Sequence, residues 1–407
     1  MKILIISQYY WPENFRINDL ANELSNMKHE VTVLTGIPNY PHGKFYKGFN
    51  FFSIGKFNHK KITIFRIPLF PRYSGKSWQL AINYISFLFF SLFSPIFFLN
   101  KKFDVIFVYE PSPFTVGVPA VVLKKTKKIP IVFWVQDLWP ESIQAAGLVK
   151  SNFIIKPISI MVNWIYKNCD VVLVQSRGFV KYAMKSGARK STIQYLPNWA
   201  ESFYKPNLEN NKIFNSLPKN GFNIMFAGNI GVAQSINTII KCAENLKNID
   251  INWIFIGDGR QKKYLINRVN EKNLSNKFYF ISQKPAEDMP YYFNYADVLL
   301  VTLLSRPIFN STIPGKIQSY LACGKPIIAS LDGEGAKIIN ESESGIAVKA
   351  EDYKKLSSAI IQMNKMSTKE LKKLGENALR YYETNFHRGE LIKKIEKIMN
   401  NEIKKND

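Results

Sequence analysis

The sequence has few of the residues that build disulfide frameworks and metal centres. Its 407 residues include three cysteines and four histidines, and no CxxC or HExxH motif occurs. Cysteines that are odd in number and far apart exclude a disulfide scaffold and are typical of a reducing compartment. The nearest approach to a DxD sequence is Asp332-Gly333-Glu334. We therefore expect no metal site.

Signals for export and for several other chemistries are also missing. Residues 1–7 carry one basic residue before a short apolar run and offer no small-residue cleavage site, which predicts a strand rather than an export signal. Neither GxSxG nor GxxxxGK[ST] occurs, so a serine hydrolase and a P-loop enzyme are not indicated. No zinc finger or RNA-binding signature is present, so nucleic acid is not the expected partner.

Acidic residues are scarce, and the resulting positive charge is uneven. The net charge is +24, and residues 1–200 carry +16 of it. Such a surface attracts polyanions, which include nucleic acid, an anionic membrane face and phosphorylated substrates.

Short apolar runs alternate with helical patterns along the whole chain. These runs are rich in β-branched and aromatic residues, as parallel strands covered on both faces are. The alternation predicts an α/β protein with two doubly wound domains, at residues 1–200 and 201–385. A polar stretch at 205–219 is the expected linker. The predicted strands are 3–6, 31–34, 62–67, 105–109, 131–135 and 171–175, then 224–227, 253–256, 278–281, 298–301, 326–329 and 346–348.

One segment, residues 78–100, is uncharged and rich in phenylalanine and leucine. Its length is enough for a membrane span. A span would place the predicted strands 3–6 and 105–109 of one sheet on opposite sides of the bilayer, which argues against it. Two interpretations stay open: a helix lying in the membrane interface and a helix buried in the core.

Three elements in the second half suggest a phosphate site. Residues 226–231 follow a predicted strand with two glycines, residues 257–260 end the next strand with Arg260, and Lys316 stands in the first turn of a predicted helix. Backbone N–H groups, a helix N-terminus and a basic side chain together suit a diphosphate. A tight turn and a solvated arginine are the plain alternatives. A lysine in a helix's first turn is otherwise unfavourable, which favours a role for Lys316.

The first half offers acid, base and loop candidates at strand ends. Asp137 and Glu110 follow neighbouring strands and could serve an acceptor as catalytic carboxylates. Asn14, Arg16 and His42 lie in the loops after the first two strands and could bind an acceptor. The alternatives are a turn cap for Asp137 and ordinary exposed loops for the other three.

The two doubly wound domains, the glycine loops at 228–231 and 257–260 and the segment ACGKPIIA at 322–329 resemble family 4 retaining glycosyltransferases of the GT-B fold. Within that family, the segments 38–43, 134–142 and 313–326 are similar to the branch of N-acetyl-L-fucosamine transferases of O-antigen and capsule synthesis. The resemblance implies two Rossmann-like domains facing across a cleft, with the donor on the second and the acceptor on the first. It also implies metal-independent chemistry and a C-terminal helix, 386–407, that packs back on the first domain.

The resemblance also assigns residues to the donor site. Two glutamates usual in the family fall on Ser311 and Ser319, its basic pair falls on Asn229 and Gln234, and its histidine falls on Gln136. Lys316 and Arg260 are therefore expected to replace the missing charge, because charge-assisted hydrogen bonds are about twice as strong as neutral ones. The expected donor-binding residues are Gly228, Asn229, Gly231, Gln234, Asp258, Arg260, Pro314, Lys316 and Ser319.

The function expected from the residues and the resemblance is transfer of a sugar from a UDP-sugar to a glycan on polyprenyl diphosphate. The product would belong to bacterial surface polysaccharide, either O-antigen of lipopolysaccharide or capsule. The enzyme would need no cofactor and would sit in the cytoplasm, peripherally on the inner face of the plasma membrane, held by its basic first domain and residues 78–100. Two alternatives stay open: a non-catalytic nucleotide-binding partner of other transferases and a UDP-sugar epimerase on the same fold.

Overall fold

A computed structural model describes residues 1–145, 151–206 and 217–406, and the chain divides into two compact units. Unit 1 comprises Met1–Pro197 and Gly389–Asp407, and unit 2 comprises Asn198–Arg388. The sequence-based borders are residues 200 and 386, close to these divisions. Most of the expected linker, residues 205–219, lies outside the described residues.

Unit 1 is built on one mostly parallel sheet. The strand order is β3-β4-β2-β1-β5-β6-β7-β8, and only β3 runs antiparallel to its neighbour β4. Strands β5, β6 and β7 are buried along their whole length, as their unbroken apolar sequences predict. The strands described in this unit are β1 (Lys2–Ile6), β2 (Glu30–Gly36), β3 (Gly55–His59), β4 (Ile62–Ile67), β5 (Val105–Glu110), β6 (Ile131–Val135), β7 (Val171–Val174) and β8 (Ile193–Tyr195).

The helices of unit 1 connect these strands in turn. Helix α1 buries Ile17, Leu20 and Leu24 on one face, at the spacing of an amphipathic helix. In the order of the chain the helices are α1 (Arg16–Asn26), α2 (Ser77–Ser91), α3 (Ser94–Phe97), α4 (Gly117–Lys127), α5 (Glu141–Ala145), α6 (Asn152–Asn168) and α7 (Phe179–Lys185).

The uncharged segment 78–100 forms α2 and α3. Helix α2 buries Asn83 and Phe87 on its inner face, but Ile82, Ile85 and Phe89 on its outer face are exposed. The expectation of a wholly internal core helix is therefore wrong, because the apolar surface exceeds what one sheet can cover. Across the described parts of the chain, no helix is both long and apolar enough to cross a bilayer.

Unit 2 has a six-stranded sheet in which every strand pair is parallel. The order β11-β10-β9-β12-β13-β14 is that of a doubly wound dinucleotide-binding fold, with its switch point between β9 and β12. Neighbouring residues such as Met225 and Phe226 enter two separate core clusters, so both faces of the sheet are covered. The strands are β9 (Phe222–Ala227), β10 (Ile251–Ile256), β11 (Phe278–Ile281), β12 (Val298–Thr302), β13 (Ile327–Ser330) and β14 (Gly345–Val348).

The helices of unit 2 alternate with its strands, and the last two follow the sheet. They are α8 (Ile236–Asn245), α9 (Lys262–Glu271), α10 (Met289–Tyr295), α11 (Pro307–Asn310), α12 (Gly315–Ala322), α13 (Glu334–Ser342), α14 (Tyr353–Asn364) and α15 (Thr368–Asn385).

The C-terminal helix α16 (Arg388–Asn406) packs within unit 1. Glu396 accepts a 2.8 Å contact from the ring Nε2 of His29, and the ammonium of Lys394 donates to the carbonyl of Tyr195 at 2.8 Å. Its apolar stripe is buried, including Leu391, Ile395 and Ile398. Two polar contacts and one buried stripe therefore hold the end of the chain against the sheet of unit 1.

Candidate active site

The ammonium of Lys316 lies at the carboxyl end of β9. Its Nζ is 3.4 Å from the ring centroid of Phe226 and 3.2 Å from Oε1 of Gln234. No carboxylate in the described residues lies within ion-pair distance of it. Desolvation lowers the pKa of Lys316 well below its usual value. A cation that has a π-face and an amide but no counter-ion is suited to receive an anion.

Two glycine loops, which contain Gly228 and Gly257, lie next to this lysine. Gly228 has φ +115°, and a Cβ placed there would lie 3.1 Å from Cε of Lys316. The Gly228 N–H donates to the Ile256 carbonyl and the Ile230 N–H to the Asp258 carbonyl, both at 2.8 Å. At Gly257, with φ +137°, a Cβ would collide with the Gly228 carbonyl. Gly257 therefore allows the two loops to pack closely against each other.

The loop after β9 also offers backbone donors. Within the described chain, the N–H groups of Asn229 and Gly231 donate to no protein acceptor. Helix α12 begins at Gly315, so its first turn carries Lys316 and free N–H groups. The hydroxyl of Thr302, at the end of β12, donates to the Gln234 carbonyl and ties this loop to the next strand. The group lies at the switch point, where doubly wound sheets bind ligands.

The remaining predicted donor residues lie near this group, but in the described structure no hydrogen bond or ion pair joins them to the ammonium of Lys316. Asn229, Asp258 and Arg260 are exposed, and Asp258 accepts the N–H of Gly259 at 2.7 Å. Ser319 is buried, and its hydroxyl donates to the Gly315 carbonyl at 3.4 Å. Pro314 is the residue directly before α12. The structure therefore brings Gly228, Gln234 and Lys316 together by direct contacts, and it places the others on the two glycine loops or on and directly before α12.

Sequence reasoning missed three residues of this region. The sequence presents Phe226 as an ordinary core residue of β9, but the ammonium of Lys316 lies over its ring. Tyr320 accepts the N–H of Ala227 at 3.2 Å and so fixes the end of β9. Both amide atoms of Gln318 are buried with no partner in the described residues. A buried glutamine in an apolar helix was the one signal that the sequence offered.

In unit 1, Glu110 and Asp137 meet at the ends of β5 and β6. The Asp137 N–H donates to Oε2 of Glu110 at 3.4 Å, and Oε1 of Glu110 has no partner in the described residues. Burial, followed by the nearby Asp137, raises the pKa of Glu110 well above its usual value. Burial raises the pKa of Asp137 to about 6, although the Ser142 hydroxyl donates to it. Both carboxyl groups therefore hold a proton more readily than in water, and Asp137, ionised above about pH 6, can accept a proton at neutral pH.

A third buried carboxylate, Glu13, organises the acceptor loops. Its oxygens accept the N–H groups of Tyr10, Asn39 and Tyr40 at 2.7–3.2 Å. Burial raises the pKa of Glu13 to about 7, against the opposing effect of these hydrogen bonds. Glu13 thus joins the loop after β1 to the loop after β2, and the sequence analysis missed it.

Of the three acceptor residues expected on loops, Asn14 and His42 lie on these two loops, whereas Arg16 lies in a helix because the chain has already begun α1 there. Asn14 and His42 are exposed, and Arg16 is the first residue of α1. No group of three His, Cys, Asp or Glu side chains in the described ranges could hold a metal ion.

Two doubly wound units, each with its chemistry at the carboxyl ends of parallel strands, define a GT-B fold. The solved structure of HepE from Anabaena, with UDP and glucose bound, matches at a TM-score of 0.71 with 16% identity, over 98% of this chain and 99% of that one. Sucrose-phosphate synthase from Thermosynechococcus elongatus matches at 0.77 with 16% identity, over 98% of both chains.

Sequence comparisons give the family. The model for the glycosyl transferase 4-like domain matches residues 14–199, and the model for glycosyl transferases group 1 matches residues 209–381. WcaI of Escherichia coli strain K12, named as a glycosyl transferase of colanic acid biosynthesis, is 25% identical over 340 residues, 80% of this chain and 82% of WcaI. The two glycosyltransferase models together span most of the chain, so the chain is a glycosyltransferase, and its second half matches the group 1 model.

Proposed function

We propose that this glycosyltransferase moves a sugar from a UDP-sugar to a glycan on polyprenyl diphosphate, with retention and without a metal. The observation that carries the proposal is the Lys316 ammonium, which has no carboxylate partner in the described residues, at the switch point of unit 2. HepE, which shares the fold, binds UDP and glucose, which supports UDP as the leaving group. WcaI supports surface polysaccharide as the product, either O-antigen or capsule. N-acetyl-L-fucosamine is our candidate for the donor sugar.

In this proposal Lys316 stabilises the leaving diphosphate, and Asp137 accepts the proton of the acceptor hydroxyl. When the bond from the sugar carbon to the diphosphate breaks, negative charge grows on the phosphate oxygens, and Lys316 with the N–H groups after β9 stabilises it. The acceptor hydroxyl forms the new glycosidic bond and loses its proton, which Asp137 can accept. Ser142, whose hydroxyl donates to Asp137, keeps that carboxylate oriented.

The acceptor's lipid implies a membrane surface as partner. Helices α2 and α3 expose an apolar face, and α6 exposes Phe153 and Ile160. Helix α4 contacts α2, α3 and α6 and ends in lysines, of which Lys125 is exposed. Apolar side chains flanked by lysines suit an anionic bilayer surface, which we propose is the inner face of the cytoplasmic membrane.

Mass spectrometry of the reaction mixture tests the proposal. The purified chain would be incubated in EDTA with a panel of UDP-sugars and synthetic acceptors on polyprenyl diphosphate. We expect one acceptor to gain the mass of one sugar and the product linkage to keep the donor's anomeric configuration by NMR. UDP binding without turnover of any pair would favour the non-catalytic partner instead, and isomerisation of the donor alone would favour an epimerase.

A further inference from the structure

The guanidinium of Arg72 stands unpaired at the acceptor edge of unit 1. Its Cζ lies 5.1 Å from the ring centroid of Tyr40 and 5.9 Å from that of Tyr9. In the described chain it donates no hydrogen bond and no carboxylate lies within ion-pair distance, whereas the nearby Arg66 donates to the carbonyls of Gly36 and Trp11. Five N–H donors in a rigid fork are therefore held in place by aromatic rings and left open for a ligand.

The rings that hold Arg72 are themselves fixed. Tyr9 stacks on Phe15 at 4.9 Å between centroids and lies 5.6 Å from Tyr40. The main-chain N–H of Arg72 donates to Oδ1 of Asn39 at 3.2 Å. Tyr9 and Tyr40 follow β1 and β2, so Arg72 lies at the carboxyl edge of the sheet.

An aromatic contact connects the same edge to the catalytic carboxylates. Tyr84 on α2 packs edge-on against Trp139, with ring centroids 6.1 Å apart, and Trp139 follows Asp137 by two residues. Phe114 also contacts Trp139, with ring centroids 5.2 Å apart. Helix α2 therefore borders the acceptor edge from the Arg72 loop to the Asp137 loop.

Helix α2 also presents the apolar face beside this arginine. Arg72 precedes the helix by five residues. The inner face of α2 is tied to the acceptor loops, since Asn83 accepts from Gln8 at 2.7 Å and donates to the Phe70 carbonyl at 2.6 Å. Its outer face exposes Ile82, Ile85 and Phe89. One short region thus offers an anion-binding fork next to an uncovered hydrocarbon-like surface.

We propose that Arg72, held over the rings of Tyr40 and Tyr9, is the subsite that binds the phosphate of a lipid-linked acceptor, while the lipid chain runs along α2. A guanidinium matches two phosphate oxygens at once, which a lysine cannot do. The inference rests on the proposed function for its acceptor, but it concerns only residues of unit 1.

Binding of farnesyl diphosphate to the full chain in detergent tests the subsite. UDP at saturating concentration would occupy the Lys316 site, so that only the acceptor edge remains for the probe. We expect Arg72→Gln to weaken binding of farnesyl diphosphate about tenfold or more, the loss of one charge-assisted interaction. Lys61→Gln removes an exposed charge from the same unit and should change nothing. Arg72→Lys keeps the charge without the fork and should fall between the two.

Further arms separate the possible failures. UDP binding to Arg72→Gln, measured by calorimetry, should equal that of the unchanged protein, and its thermal midpoint should show an intact fold. Unaltered binding of farnesyl diphosphate by folded Arg72→Gln would overturn the subsite, as would absence of binding to the unchanged protein. If Arg72→Gln instead lost binding to phosphatidylglycerol vesicles and kept farnesyl diphosphate, the arginine would contact bilayer headgroups and the proposal would be wrong. If the unchanged protein does not bind UDP, the proposed function is wrong, but the Arg72 subsite is not overturned by that result.

Discussion

The two sheets carry opposite charges at equivalent edges. At the carboxyl ends of β9 and β12, unit 2 holds the ammonium of Lys316 over an aromatic ring, with no carboxylate beside it in the described residues. At the carboxyl ends of β5 and β6, unit 1 holds Glu110 and Asp137, both with raised pKa values. The same doubly wound plan therefore carries the proposed anion site in one unit and the proposed proton-transfer site in the other. The loops decide which, because the strands beneath are alike in their apolar character.

Removal of the Lys316 ammonium should have the largest effect on turnover. Lys316→Ala should lower turnover about a thousandfold, since the charge that develops on the leaving diphosphate would lose its main counter-charge. Initial rates of UDP release would measure the loss. Lys337→Ala removes a lysine that is exposed on α13 and paired only with Glu341, and it should keep full activity. A fully active Lys316→Ala would remove the lysine from the site.

Removal of the base should have the next largest effect. Asp137→Asn should lower turnover about a hundredfold through lost proton transfer and leave UDP affinity unchanged. In the unchanged protein, activity should rise with pH through about 6 as Asp137 ionises. Ser142→Ala should move that rise to higher pH, because the hydroxyl that favours the ionised form is gone. Identical pH profiles for the Ser142 variant and the unchanged protein would contradict this role.

The buried Glu13 predicts a pH dependence of stability. Its folded pKa of about 7 lies above the ordinary value of 4.5, so the folded state binds the proton more tightly. Stability from this group is present below pH 4.5 and falls as the pH rises to about 7. Between pH 5 and 8 the loss should be about 2 kcal/mol.

Urea unfolding at several pH values would measure this loss. Glu13→Gln should flatten the dependence, while Glu30→Gln, at the exposed first residue of β2, should not. A profile that Glu13→Gln leaves as steep as before would show that other groups cause it.

The glycine of the second donor loop should give the smallest effect. Gly257→Ala would force a side chain into a positive φ against the Gly228 carbonyl, which should cost about 1–2 kcal/mol in backbone strain alone. Gly231→Ala is the matched change, since Gly231 has φ −101° and meets only the movable amide of Asn229. Chemical denaturation of both variants would compare them, and equal midpoints would contradict the loop geometry.

Apolar runs predicted most of the two sheets. The bounds of β4, β6 and β11 match the sequence expectation to the residue, because each strand is rich in β-branched and aromatic residues. The sequence did not reveal β3 and β8. Strand β3 is a largely exposed edge strand of sequence GKFNH, and β8 has three residues, so neither shows an apolar run.

The site was predictable where one residue breaks a local rule. Lys316 stands out because a lysine is unfavourable at a helix N-terminus. Glu13 and Arg72 did not stand out, because each lies in a loop, where a single charged residue is ordinary. Their roles arise from contacts between segments far apart in the sequence, such as Glu13 with Asn39 and Tyr40. No local pattern encodes such contacts.

The central claim is that unit 2 binds the UDP diphosphate at Lys316. The most direct test compares the UDP affinity of the unchanged protein with that of Lys316→Met and Lys337→Met. Calorimetry on the full chain would measure all three. We predict that Lys316→Met binds UDP about tenfold more weakly or worse and that Lys337→Met binds as the unchanged protein does. Equal affinity of all three would contradict the assignment of the anion site to the edge of unit 2.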